Sequence, residues 1–135
     1  MIISTTITNS RADVIGAALT SVAPEVDVCV VIDTGATDDT MAIAKAVLGP
    51  KLVAVSWPWR NDFAAARNFA LDYAKDWLRM RPDAARPGVD DPRDWIVNAD
   101  TDEWLRIPNA RACLAVVPAD LDVVQVPHAT RTYAQ

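Results

Sequence analysis

The chain is short of several things at once, and each shortage closes off a class of function. Its 135 residues include four glycines, two cysteines and one histidine. Neither G-x-G-x-x-G nor G-x-x-x-x-G-K-[ST] occurs, so neither a dinucleotide fingerprint nor a P-loop is supported. The net charge is −5 and the 13 basic residues are scattered. Nucleic-acid surfaces gather Lys and Arg on one face, so no nucleic-acid partner is expected. No apolar run approaches the roughly 20 residues of a transmembrane helix. The opening MIISTTITNS lacks a basic region followed by an apolar one, so no signal peptide is expected. His128, beside Pro127 near the chain end, reads as a surface residue rather than a metal ligand. Cys29 and Cys113 both sit in apolar stretches, which suits buried free thiols in a reducing compartment and a cytoplasmic location.

What is present is an alternation of two periods. IISTTIT (2–8) is a β-branched run, and SRADVIGAALTSV (10–22) follows with helical spacing. VDVCVVI (26–32) is almost unbroken apolar sequence, the mark of a strand covered on both faces. Thr37 or Asp38 is placed to cap a helix through Leu48, which Gly49 and Pro50 end. KLVAVSW (51–57) reads as a third strand, and residues 62–80 as a third helix capped by Asn61 or Asp62. The Pro-rich stretch 81–94 is too broken for regular structure, with Asp90 and Asp91 expected to be solvated. WIVNA (95–99) is a fourth strand, a short helix is expected from near Pro108, and LDVVQVP (121–127) is a fifth strand. The fold class is therefore α/β: one domain over 1–135, with a mostly parallel sheet and helices on both faces.

In such sheets ligands bind beyond the carboxyl ends of the strands. The first strand ends in Thr6, Thr8 and Asn9, the second in Asp33, the third in Trp57, and the fourth in Asp100 and Asp102. WIVNADTDEW thus crowds three carboxylates into four residues. Two carboxylates about 5 Å apart repel by roughly 3 kcal/mol at an effective dielectric near 20. They must be hydrated, protonated or given a cation to share. In extended backbone Asp100 and Asp102 would face the same way around Thr101. A hard cation such as Mg²⁺ or Mn²⁺ takes one or two carboxylates and completes its shell with phosphate oxygens and water. A solvated acidic turn, with Asp side chains capping backbone amides, accounts for the same residues.

In DFAAARNFALDYAKDW, the residues Phe63, Ala66, Arg67, Ala70, Ala74 and Trp77 lie on or near one helical stripe. Arg67 interrupts that stripe. A guanidinium there seeks an anion, and phosphate suits its forked donors; a structural Asp is the other available partner. Trp57 and Trp59 could wall a base or sugar, or pack at the sheet edge.

VIDTGATDDT, DFAAARNFAL and WIVNADTDEW, in that order, resemble the family 2 glycosyltransferases of GT-A fold, with their DTGSTD-, FAxARN- and DADE-type motifs. The resemblance covers about 95 residues. It implies a nucleotide-diphosphate sugar, by resemblance a UDP-sugar, as donor, and a glycan, lipid or protein as acceptor. Asp33 would contact the uracil or ribose, Thr6 and Thr8 would line the nucleoside pocket, and Arg67 would lie near the base or pyrophosphate. Asp100 and Asp102 would form the DxD pair that holds a divalent cation, Mn or Mg, on the diphosphate, with Asp100 also touching the substrate. The sequence departs from the family pattern at Ser10, where Glu usually follows Asn9, and in NADTDE, where DADE is more usual. Family members continue beyond the fifth strand and carry the acceptor site and general base there. This chain is therefore expected to be the donor-binding part, with no catalytic base assigned.

Two further readings compete. One is a noncatalytic nucleotide-binding or assembly module on the same fold, with self-association left open. The other is a Mg²⁺-dependent phosphatase with an Asp nucleophile, which Trp104 disfavours because a DxDx[TV] loop needs Thr or Val there.

Overall fold

The computed structural model describes residues 1–105 and 109–118. Strands β1 (Ile2–Thr8), β2 (Val28–Asp33), β3 (Leu52–Ser56) and β4 (Trp95–Asn98) alternate with helices α1 (Ile15–Val22), α2 (Thr40–Leu48) and α3 (Phe63–Met80). A short α4 (Ala110–Ala115) follows. The four strands form one sheet in the order β3-β2-β1-β4, and every pairing is parallel. The order runs outward from β1 to β3 and then reverses, so β4 joins the free side of β1. The expected fifth strand at 121–127 lies outside the described residues.

Burial explains the layers. β2 is enclosed between β1 and β3, and Cys29, Val30, Val31 and Ile32 are all buried. Ile2, Cys29 and Val31 face α1 and α2, packing with Ile15, Leu19, Val22, Ala44 and Leu48. Ile3, Val30 and Ile32 face α3, packing with Ala66, Ala70, Ala74 and Leu78. Residues four apart share a helix face, and three alanines in that line let α3 lie close on the sheet. The buried line ends in Leu78, while Phe63 is 59% exposed and outside it. At the α1–α2 contact, a Cβ on Gly16 would come within 3.2 Å of Ile43 Cγ2, so the absent side chain sets how closely the two helices approach.

β1 is the unusual strand, because Ser4, Thr5, Thr6 and Thr8 are polar yet at most 2% exposed. Its backbone is paired on both sides, and β-branched Thr suits a pleated, covered surface. Thr5 donates its hydroxyl to Asn98 Oδ1 at 2.5 Å, joining β1 to β4 by side chains as well as backbone.

The helix starts are set by local hydrogen bonds, and Asp38 and Asp62, both named as capping candidates, supply two of them. α1 begins at Ile15 because the amides of Val14 and Ile15 both donate to the Arg11 carbonyl in a preceding turn. α2 begins at Thr40, where Asp38 accepts from both the amide and the hydroxyl of Thr40. Asp62 caps α3 by accepting from the Ala65 amide at 2.9 Å. The expectation of two buried thiols holds for Cys29 and fails for Cys113, which is exposed on the short α4. Burial pushes the Cys29 thiol up, which keeps it protonated and inert. Among the described residues no helix is long and apolar enough to cross a membrane.

Candidate functional site

The reversal of strand order between β1 and β4 marks the crevice that open α/β sheets use for ligands. Thr8, Asp33 and Ser56 lie side by side in the register across β1, β2 and β3, at the carboxyl ends of all three strands. On the other side of β1, Thr5 pairs with Asn98 and the Ala99 amide donates to the Thr5 carbonyl. The acidic segment after β4 therefore leaves the sheet beside the end of β1.

Asp33 uses one carboxylate oxygen to shape its own loop. Oδ1 accepts from the amides of Gly35 at 2.9 Å and Ala36 at 2.8 Å, an Asx turn. Gly35 sits at φ +128°, where side-chain-bearing residues are strained. Among the described residues Oδ2 of Asp33 has no hydrogen-bond partner. Thr34 ties the loop down, its amide and hydroxyl both donating to the Thr8 carbonyl at 2.9 and 2.8 Å. Thr8 donates its own hydroxyl to the Asn9 carbonyl, and Thr6 is buried at 2% exposure. Both threonines thus stand at the rim of the sheet with their side chains largely enclosed.

Arg67 and Asp100, which are 33 residues apart, meet: Nη2 donates to Oδ1 at 2.7 Å, with side-chain exposures of 24% and 43%. The Arg67 guanidinium also lies 5.7 Å from the centre of the Phe63 ring. Phe63 in turn stands edge-on to Trp59 at 5.9 Å. Trp59 is anchored by its amide to the Thr34 carbonyl and by its indole to Asn61. A partly exposed aromatic ledge therefore runs from beside the Asp33 loop to Arg67. Trp57 is instead buried, stacked on Phe69 at 5.6 Å. Sequence reasoning left Trp57 and Trp59 equivalent, because only the fold separates an edge-packing ring from a presented one.

The acidic motif differs from the extended geometry expected of it. β4 ends at Asn98, and residues 100–103 form a turn in which the Glu103 amide donates to the Asp100 carbonyl at 3.1 Å. Glu103 Oε2 accepts from the Asp100 amide, also at 3.1 Å, so Glu103 clamps the Asp100 peptide from both directions. Alternation around Thr101 therefore does not align the two aspartates. Thr101 is buried, Asp102 is exposed, and among the described residues nothing pairs with Asp102. Glu103, read beforehand only as a third charge, is the residue that shapes the turn; its spacing of three from Asp100 was the available signal.

The donors at this edge are carboxylate oxygens. That set suits a hard cation whose remaining positions are filled by phosphate and water, and does not suit a soft metal. Among the described residues no group of three or more His, Cys, Asp or Glu is arranged to hold a metal without a ligand's help.

Comparison with known proteins identifies the family. Residues 2–84 match the family described as Glycosyl transferase family 2. That span takes in Thr6, Thr8, Asp33 and Arg67 and ends before Asp100. A TPR repeat-containing protein of Synechococcus elongatus is 37% identical over 99 residues, which cover 73% of this chain and 20% of that protein. The chain thus spans about a fifth of the length of this curated relative. With a matched span above half of its length and a parallel α/β sheet of GT-A-like, Rossmann-like design, the chain belongs to glycosyl transferase family 2.

Proposed function

We propose that this chain binds a nucleotide-diphosphate sugar, with uridine as the base, and serves its transfer to a hydroxyl acceptor with inversion at the anomeric carbon. The contact between Arg67 and Asp100 carries the reading. It brings an anion-seeking guanidinium and a cation-seeking carboxylate from separate elements to the strand-end edge where the order reverses. In this assignment Asp33 meets the ribose or base with its free carboxylate oxygen, and Thr6 and Thr8 form the floor beneath the nucleoside. Arg67 takes the diphosphate or base, and Asp100 and Asp102, which the ligand-free turn does not align by strand alternation, would hold Mn²⁺ or Mg²⁺, the kind of divalent cation this family typically uses. When bound, that cation offsets charge developing on the departing diphosphate. In the transfer, the acceptor oxygen bonds to the anomeric carbon as the carbon–phosphate-oxygen bond breaks. The electron pair leaves with the nucleoside diphosphate, and the acceptor proton passes to a base outside the residues assigned here.

Calorimetric titration of UDP, with and without Mn²⁺, tests the binding half of this assignment. Metal-dependent binding that falls at least tenfold in Asp100→Ala/Asp102→Ala is the expected result. A folded wild-type protein that binds no UDP under either condition overturns it. Binding of UDP-sugars with no release of UDP in the presence of acceptors would make the chain a donor-binding module.

A further inference from the structure

The two groups that the donor-site reading assigns to opposite charges of the ligand neutralise each other in the ligand-free chain. Arg67 Nη2 lies 2.7 Å from Asp100 Oδ1. A divalent cation seats within about 2.1 Å of a carboxylate oxygen. A cation that takes Asp100 through Oδ1, or through both carboxylate oxygens, would set like charges side by side in a partly buried position, and one of the two then has to yield.

Resting on that reading, we propose that the ion pair is a latch coupling the cation to the diphosphate. Asp100 holds either Arg67 or the cation, and Arg67 becomes available to an anionic ligand only after a cation has taken Asp100.

The surroundings determine which partner moves. The Asp100 backbone is held through its amide and its carbonyl by Glu103, so only its short side chain can adjust when the guanidinium leaves. The Arg67 backbone is equally fixed, in a helix capped by Asp62 and seated on the sheet through Ala66 and Ala70. What remains free is the long Arg67 side chain, whose guanidinium already borders the exposed face of Phe63. The longer-reaching part of the latch is therefore Arg67, with a π face beside it to receive a cationic head.

Coupling of this kind is reciprocal: cation and diphosphate each tighten the other by the same factor. Loss of the guanidinium has two effects of opposite sign. A cation alone gains an unoccupied Asp100, while the diphosphate loses its fork of donors. A residue with a purely structural role would weaken both.

The experiment measures Mn²⁺ alone by electron paramagnetic resonance, and UDP at saturating Mn²⁺ by calorimetry, for wild type, Arg67→Gln and Arg67→Lys. Arg67→Gln should bind Mn²⁺ alone about two- to fivefold more tightly, the span covered by a partly exposed ion pair. It should bind UDP more weakly, so the coupling factor falls. Arg67→Lys, which keeps the charge and loses the fork, should shift both affinities in the same directions by less, and it carries the test if Arg67→Gln does not fold. Unchanged or weaker Mn²⁺ binding in the folded variants, with wild type still binding Mn²⁺ and UDP, overturns the latch and leaves the donor site standing. A folded wild type that binds neither overturns both.

Discussion

The two ends of the sheet treat charge in opposite ways. At the amino ends of the strands, charges close upon themselves. Arg81 donates to Asp94 through both terminal nitrogens at 2.6 and 3.2 Å, and Asp94 also receives the Met1 ammonium at 2.8 Å. Both side chains are under 10% exposed. Around them Arg79 grips Asp90, Arg93 grips Asp91, and Arg111 reaches Asp27, which also accepts from the Ile2 amide. At the carboxyl ends, Asp102 and one oxygen of Asp33 are uncommitted among the described residues, and Arg67–Asp100 is the one bonded pair between the elements assigned to the ligand. A concavity of about 380 Å³ lies at the closed end, between the end of α3 and the 84–94 loop. Concavity alone would admit a ligand there. Charge argues otherwise, because a ligand at the closed end would have to break pairs that already satisfy each other.

The sharpest way to break this contrast is to open the closed end. Arg81→Met removes one partner of a buried pair and should destabilise the fold by about 3 kcal/mol in chemical unfolding. The double variant Arg81→Met/Asp94→Leu should recover part of that loss, since it removes the buried carboxylate and leaves only the partly exposed Met1 ammonium without its partner. Neither should change UDP affinity in the protein that remains folded. A large loss of nucleotide binding in the double variant would show that the two ends are not separable.

A smaller effect separates two aspartates that look alike in sequence. Asp62 and Asp39 each stand immediately before a helix, yet only Asp62 bonds its helix by side chain. Asp62→Ala should cost about 1 kcal/mol of stability, and Asp39→Ala close to nothing. Thermal unfolding of the two variants measures the difference directly. Because α3 carries Arg67 in its second turn, Asp62→Ala should also weaken UDP binding slightly, whereas Asp39→Ala should not.

These contrasts also show what could be read before folding. β2 was legible because a run such as VCVVI has no solvent face to alternate with, and α3 because Ala66, Ala70 and Ala74 recur at one helical spacing. The carboxyl-end residues were legible for the same local reason: Asp33 and Asp100 come where an apolar run stops. The position of β4 beside β1 was not, because strand order depends on packing between distant segments. Nor was the closed end. Residues 81–94 have no period; Asp90 is exposed as expected although Arg79 pairs with it, whereas Asp91, also expected to be solvated, is largely covered and pairs with Arg93. Asp94 finds its own at Met1, 93 positions away. The turn at 100–103 was one of two readings open for the acidic motif, and what local reading did not supply is that Glu103, rather than an Asp side chain, closes it.

The smallest effect tests the closed end through its protons. Burial pushes the Asp27 carboxyl up, but the Arg111 hydrogen bond, the Ile2 amide and the nearby positive charges outweigh it and hold the group below its ordinary value. A carboxyl whose folded pKa is depressed contributes stability that is fully present above its unfolded value of about 3.9. That contribution fades as pH falls from there through the folded pKa, because the unfolded chain takes up the proton first. Arg111→Gln removes the strongest of the lowering contacts from a partly exposed pair, so the variant should be less stable at pH 7 by about 0.5 kcal/mol. The gap between the two proteins should then close as pH drops below about 4, where wild type loses what the variant never had. Urea midpoints at pH 7 and pH 3 measure both ends of that window. A gap that persists at pH 3 would mean that Arg111 acts through packing of α4 rather than through the Asp27 charge. UDP affinity at pH 7 should be the same in both proteins, since the charge removed belongs to the end of the sheet that is already closed.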